Sequence, residues 1–233
     1  MAFVHGWGFG PEVWRSILPD FSDFHPVLWH LPGYQHTQSC AISAQDYAID
    51  ADAMIGIGWS LGGQHLLQLV ARQPKRFRAV VLVATNVQFV STTQWLHGVA
   101  AEAISQWQNR VAVNPQTALR RFAHLCVHGA ENADHTHSLL EECLRRQTPP
   151  SQQTLQAGLE SLATAQFLPE FRQLKTPTLL IGGEVDSLVP NAAFRAMQEM
   201  NPAIAVEIIA GAGHAPFLSH PEIFRKRIRE FLA

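Results

Sequence analysis

No uninterrupted apolar run in this 233-residue chain approaches the roughly 18 residues that a membrane-spanning helix needs. The longest candidate, Ala79 to Thr85, has the length of a strand. Cysteine is scarce as well. Cys40, Cys126 and Cys143 are odd in number and lack metal-ligand spacing, which argues against a disulfide framework and for a reducing compartment. The opening MAFVHGWG has neither the basic stretch nor the long apolar run of a signal peptide, so a cytoplasmic protein is expected. Charge is also sparse. Charged residues make up 15%, and 17 Lys and Arg against 19 Asp and Glu leave a formal −2, too little positive charge for the broad field that nucleic acid or an anionic membrane requires. With 15 Gly and 14 Pro, no internal repeat and no low-complexity tract, collagenous, coiled-coil and disordered classes are excluded.

What the chain does have is core material, since 47% of it is hydrophobic. Its length, set against a prior of about 150 residues per domain, suits one compact domain carrying an insertion. A monomer is expected.

Short apolar runs recur at Ala2 to Val4, Pro26 to Trp29, Met54 to Ile57, Ala79 to Val83, Thr178 to Ile181 and Val206 to Ile209. They are rich in β-branched residues and lack polar alternation, the pattern of strands buried on both faces of a parallel sheet. Between them lie helix-like segments. Leu66, Leu67, Leu69 and Val70 follow Gly62-Gly63, and Ile223, Phe224, Ile228 and Phe231 mark a final amphipathic helix from Pro221. The fold class is therefore α/β, a mostly parallel sheet with flanking helices.

That rhythm stops between about Asn86 and Pro169. Four helical patterns follow one another there: a first containing Trp95, Val99 and Ile104 to Trp107, then Leu119, Phe122, Leu125 and Cys126, then Leu139, Leu140, Cys143 and Leu144, then Leu155, Leu159 and Leu162. Breaks at Asn114-Pro115, around Gly129 and at Pro149-Pro150 separate them. The expected organisation is a core of residues 1–88 and 168–233 with a helical lid at 89–167.

The sharpest local signal is Gly58-Trp59-Ser60-Leu61-Gly62-Gly63, a G-x-S-x-G placed after a strand and before a helix. Composition alone gives roughly 0.05 chance matches, before that context is required. Small residues on either side of a serine permit the tight strand-to-helix turn that lifts a nucleophile out of a sheet.

A serine hydroxyl needs a base, and the base needs an orienting carboxylate. Asp186, just past the Thr178 to Ile181 run, and His214, in a Gly-rich loop past Val206 to Ile209, follow Ser60 in the order Ser, Asp, His. Both loops would leave the carboxyl edge of the sheet, where α/β sites form. His220 and His65 rival His214, while Glu184 and Asp134 rival Asp186.

Two backbone N–H groups are needed for the developing oxyanion. Leu61 at the helix start and Trp7 in the His5-Gly6-Trp7-Gly8 loop are the candidates. His124, His128, His135 and His137 could suggest a metal, but no carboxylate or Cys completes a motif. They read as polar surface, and no metal site is expected. Asp46, Asp50 and Asp52, with Tyr47 and Ile49, read as a short acidic helix without chemistry.

These residues resemble the α/β-hydrolase family and, within it, the pimeloyl-[acyl-carrier protein] methyl ester esterases of biotin biosynthesis. The HGWG loop, Glu12 to Trp14, L-P-G at 31 to 33, G-W-S-L-G-G at 58 to 63, V-D-S-L-V-P at 185 to 190 and G-H-A-P-F-L-S-H-P at 213 to 221 carry the likeness. The resemblance implies hydrolysis of the methyl ester of the carrier-bound acyl chain, with release of methanol and with no cofactor beyond water. It casts Ser60 as nucleophile, His214 as base and Asp186 as its orienter. Trp7 and Leu61 would contact substrate as well as oxyanion, and Phe122, Ala123, His124, Leu125 and Cys126 would line an acyl channel.

The likeness also implies an acidic carrier protein as partner, met by Arg120, Arg121, Arg145 and Arg146. Residues 95 to 167 hold five Arg against six acidic residues, so any docking edge must be local. The sequence departs from the family in three further ways: the first hairpin is expected to be missing, leaving an exposed sheet edge; His30 replaces the usual Asp of the L-P-G strand; and the stretch from His36 to Met54 is short. Two other readings stay open at this level, an esterase or C–C-bond hydrolase of a small free metabolite and a non-catalytic ligand-binding module on the same fold.

Overall fold

The computed structural model describes residues 1–34 and 53–233. The acidic helix expected around Asp46 to Asp52, Cys40 and most of the short stretch after His36 lie outside those residues.

Each apolar run becomes a strand: β1 (Ala2–Val4), β2 (Val27–Trp29), β3 (Met54–Trp59), β4 (Phe77–Val83), β5 (Thr178–Gly183) and β6 (Ala205–Ile209). They form one sheet in the order β2-β1-β3-β4-β5-β6, and every pairing is parallel. β3 and β5 are buried along their whole length, and β4 is buried except at Arg78. The edge strands differ from the expectation of burial on both faces. Val27 of β2 is 45% exposed and Ile208 of β6 37%, because each has a neighbour on one side only among the described residues.

The helices begin with α1 (Leu61–Arg72) behind β3. Between β4 and β5 come α2 (Ala101–Val113), α3 (Pro115–Val127), α4 (Ala133–Arg146) and α5 (Gln152–Thr164), followed by the short α6 (Leu168–Arg172). The breaks fall where the sequence places them. Asn114 caps α3 by accepting from Thr117 N–H at 2.9 Å, with Pro115 behind it, and Ser151 caps α5 from Thr154 N–H at 3.0 Å.

Trp95 and Val99 are not in the first of these helices. They belong to an irregular stretch whose bridges pair Val90 with Val99 and Thr92 with Trp95. Their burial comes from a folded-back loop and only mimics a helical period. α7 (Asn191–Met200), α8 (Pro216–Ser219) and α9 (Pro221–Leu232) complete the chain. Phe224 and Ile228 of α9 are buried, whereas Ile223, expected on the same face, is 45% exposed. Because the strands are parallel, the connections after β1, β3, β4, β5 and β6 all leave one edge. Among the described residues, no helix is long and apolar enough to cross a membrane.

Candidate active site

Ser60 follows the last residue of β3 and precedes the first of α1, at φ 54° and ψ −116°. A non-glycine residue held there stores about 1–3 kcal/mol of backbone strain. Both flanking glycines are sterically required. A Cβ on Gly58 would lie 2.6 Å from Gly62 O, and one on Gly62 would lie 2.4 Å from His5 O. A serine in this position usually caps its helix, but Ser60 makes no side-chain cap bond.

Asp186 and His214 meet from the loops after β5 and β6, with Nδ1 of His214 2.8 Å from Oδ2 of Asp186. Oδ1 of Asp186 accepts from Leu188 N–H (2.8 Å) and Val189 N–H (3.1 Å). The carboxylate is thereby held by its own loop and aimed at the ring. Since a carboxylate only accepts, the imidazole proton sits on Nδ1 and the lone pair on Nε2. That Nε2 atom is buried and has no hydrogen-bond partner among the described residues.

Two contacts fix the histidine loop itself. His214 N–H donates to Cys126 O at the end of α3 (2.8 Å), and His214 O accepts from the indole N–H of Trp59, the residue before Ser60 (2.7 Å). The Trp59 and His214 rings lie 5.7 Å apart. The rivals fall elsewhere. His65 is half-buried on α1, and desolvation of its ring pushes its pKa down to about 3. His220 bonds Ser219 and sits 3.8 Å from Glu131. Glu184 accepts from Gly211 N–H, and Asp134 is on the outer face of α4.

The loop after β1 supplies the other side of the site. His5 Nε2 accepts from Leu31 N–H (3.0 Å), so its proton is on Nδ1, which donates to Gly6 O (3.0 Å). Burial holds the His5 pKa near 3, and the ring stays neutral. In a trans peptide, C=O and N–H point in opposite directions. Anchoring Gly6 O on His5 therefore aims Trp7 N–H the other way. Among the described residues neither Trp7 N–H nor Leu61 N–H meets an acceptor.

The Trp7 ring is buried, its indole N–H donating to Leu155 O of α5 (2.9 Å). Phe122 packs edge-on at 4.9 Å and Trp107 at 6.1 Å. Gly158 of α5 lets that helix lie against Trp7, since a Cβ there would be 2.6 Å from the indole Cδ1.

The run Phe122 to Cys126 does not line one surface. Phe122 faces Trp7 and lies 6.3 Å from the His214 ring, and Ala123 and Cys126 are buried. His124 is exposed and lines an outer groove with Leu125. With about 3.6 residues per turn, five consecutive helical residues point all the way round. His124 and His137 rings are 5.6 Å apart, and no group of three or more metal-ligating side chains occurs among the described residues.

Several contributors were invisible to local pattern. Tyr34 donates no local signal, yet its hydroxyl accepts from Gly8 N–H (2.7 Å). Cys126 acts through its carbonyl, and Trp59 through a bond 155 residues along the chain. The arginines divide into two sets. Arg145 and Arg146 both engage Glu142, whereas Arg110, Arg120 and Arg121 form no salt bridge among the described residues and line the outer groove of about 590 Å³ with Trp107.

A family model described as the alpha/beta hydrolase family matches residues 1–227. A pimeloyl-[acyl-carrier protein] methyl ester esterase of Nitrosomonas europaea is 34% identical, over 96% of this chain and 92% of its own length. The protein of the same name from Serratia marcescens is 32% identical over all of this chain and 93% of its own. Among solved structures, a bromoperoxidase from Bacillus anthracis superposes with a TM-score of 0.85 at 17% identity, covering 99% of this chain and 90% of that one. An esterase from Exiguobacterium antarcticum gives 0.82 at 13%, covering 100% and 91%. At such identities the structural likeness speaks for the fold alone.

Proposed function

The chain belongs to the alpha/beta hydrolase family, and from that premise we propose that it is a serine carboxylesterase that hydrolyses the methyl ester of pimeloyl-[acyl-carrier protein], releasing methanol and the free carboxylate in biotin biosynthesis. The observation that carries the chemistry is the buried Asp186–His214 pair, its Nε2 unpartnered, on a loop tied at 2.7 Å to Trp59, the residue before the strained Ser60. The full-length likeness to esterases of that name supports the substrate.

In this reading Ser60 Oγ attacks the ester carbonyl carbon while Nε2 of His214 takes its proton, and Asp186 stabilises the resulting imidazolium. The carbonyl oxygen becomes an oxyanion facing Trp7 N–H and Leu61 N–H. Loss of one such donor typically costs about 2.7–4 kcal/mol of transition-state stabilisation. Methanol leaves with the proton from His214. Water then adds to the acyl-enzyme by the same base, regenerating Ser60. Residues 89–167 act as the lid that shapes the acyl site, through Trp107, Phe122 and Leu155.

For the acidic carrier protein, the unpaired Arg120 and Arg121, joined by Arg110, suit a docking edge better than Arg145 and Arg146, whose guanidiniums already share Glu142. The test is rescue of a biotin auxotroph that lacks its methyl ester esterase, with Ser60→Ala as control. Growth with the wild-type chain and none with the variant is expected. Rescue by both would sink the serine mechanism. Failure of both, with short free esters still turned over by purified wild type, would shift the substrate to a small free metabolite.

A further inference from the structure

Gln147 immediately follows α4, and its own N–H donates to Cys143 O at 3.0 Å. It is polar yet 6% exposed. Its side chain leaves the insertion and spans two peptide groups of the loop after β1. Nε2 donates to Gly8 O at 2.8 Å, and Oε1 accepts from Gly10 N–H at 2.5 Å. Both ends of the amide are thus used on backbone nearly 140 residues away.

Three side chains fix the consecutive peptide planes of this loop. His5 holds the Gly6–Trp7 plane through Gly6 O, Tyr34 holds Trp7–Gly8 through Gly8 N–H, and Gln147 holds the next two. Gly8 gains from such a hold, because its φ of +79° is open mainly to glycine and the only other bond on the plane of its carbonyl, among the described residues, is the long one from Phe9 N–H to Gly6 O at 3.4 Å. We propose that Gln147 is a positioning residue for the oxyanion: by clamping Gly8 and Gly10 it keeps Trp7 N–H aimed at the reacting carbonyl oxygen, so that the insertion contributes to transition-state stabilisation as well as to the acyl site. This rests on the reading of Trp7 N–H as an oxyanion donor.

The decisive comparison is between wild type, Gln147→Glu and Gln147→Met, assayed well below each variant's unfolding transition. Turnover of a short p-nitrophenyl ester gives kcat and KM. Inhibition by an alkylboronic acid reports the oxyanion site, because Ser60 Oγ bonds to boron, its proton passes to His214, and a boron-bound oxygen takes the oxyanion position.

Gln147→Met keeps the length and loses both bonds. It is expected to lower kcat about 10- to 100-fold and to weaken boronate inhibition in parallel, with KM little changed. Gln147→Glu keeps an acceptor for Gly10 N–H but turns a carboxylate oxygen towards Gly8 O, so it is expected to lose at least as much as the Met variant. Should the Met variant fail to fold, the Glu variant decides by the same readouts. Values of kcat and boronate affinity within about twofold of wild type overturn the proposal. So does a rise in KM with boronate affinity intact, which places Gln147 at substrate binding. Equal boronate affinity in Ser60→Ala would instead overturn the serine reading itself, whatever Gln147 does.

Discussion

The sheet and the helical insertion contribute to one site by different means. In the sheet, position follows from steric necessity. The elbow glycines have no room for a methyl group, and Ser60, in the turn they make, takes a strained φ of 54° and makes no side-chain cap bond. The insertion packs on that frame through apolar side chains such as Phe122 and Leu159 and is registered on it by polar stitches, each between a side chain or an amide on one part and a backbone group on the other: Trp7 to Leu155, Gln147 to Gly8 and Gly10, Thr154 to Gly33, and His214 N–H to Cys126 O. Steric requirements tolerate almost no variation, while stitches can be exchanged one at a time. The core would then preserve a reaction while the insertion adjusts its substrate.

The largest test of that contrast lies wholly in the core. Asp186→Asn should leave the fold and the insertion intact while lowering kcat roughly 10⁴-fold, by letting the wrong imidazole tautomer form. A pre-steady-state assay together with circular dichroism checks both halves, and an active variant would remove Asp186 from the mechanism. Next, Gly62→Ala drives a methyl group into backbone of the β1 connection. A loss of about 3 kcal/mol or more is expected, and a urea unfolding midpoint near wild type would show the elbow to be less rigid than its geometry.

At the seam, Gly158→Ala should cost less, about 1–3 kcal/mol, because α5 can lift from Trp7. Its distinctive mark would be a raised KM with kcat largely kept. The same loss in kcat as in KM would mean that the insertion and the core are not separable in this way.

The smallest effect, read between about pH 7 and 6, is graded with pH. His5 and His65 have pKa values near 3 in the folded protein against an ordinary 6.5, because burial disfavours their charged forms. An unfolded chain takes up a proton on each as pH falls through 6.5, whereas the folded chain does not until about pH 3. Their contribution is therefore complete above pH 6.5 and is lost progressively towards pH 3, by up to about 1.4 kcal/mol per pH unit for each. Urea unfolding of wild type and His65→Gln at neutral and mildly acidic pH should show a shallower slope in the variant.

The same division explains what the chain made readable. All six strands emerge from short apolar runs, and the breaks at Asn114-Pro115 and Pro149-Pro150 from local capping and proline chemistry. Ser60 was legible because its turn demands glycines at fixed offsets. Gln147 and Tyr34 were not, since a polar residue carries no local mark of the distant amide it will meet. Trp95 and Val99 misled for a related reason: spacing reports burial, and a folded-back loop can bury residues at a helical interval.

The bond from His214 N–H to Cys126 O also bears on how such a protein could be rebuilt. A chimera that replaced the four-helix segment wholesale would remove the acceptor for the amide of His214, the proposed base. Recombination that respected only the segment's two chain ends would thus deliver a new acyl site around a misplaced histidine. A productive graft must carry over a helix terminus at this spot, with a carbonyl 2.8 Å from His214 N, which ties the end of α3 to the core despite its place in the insertion.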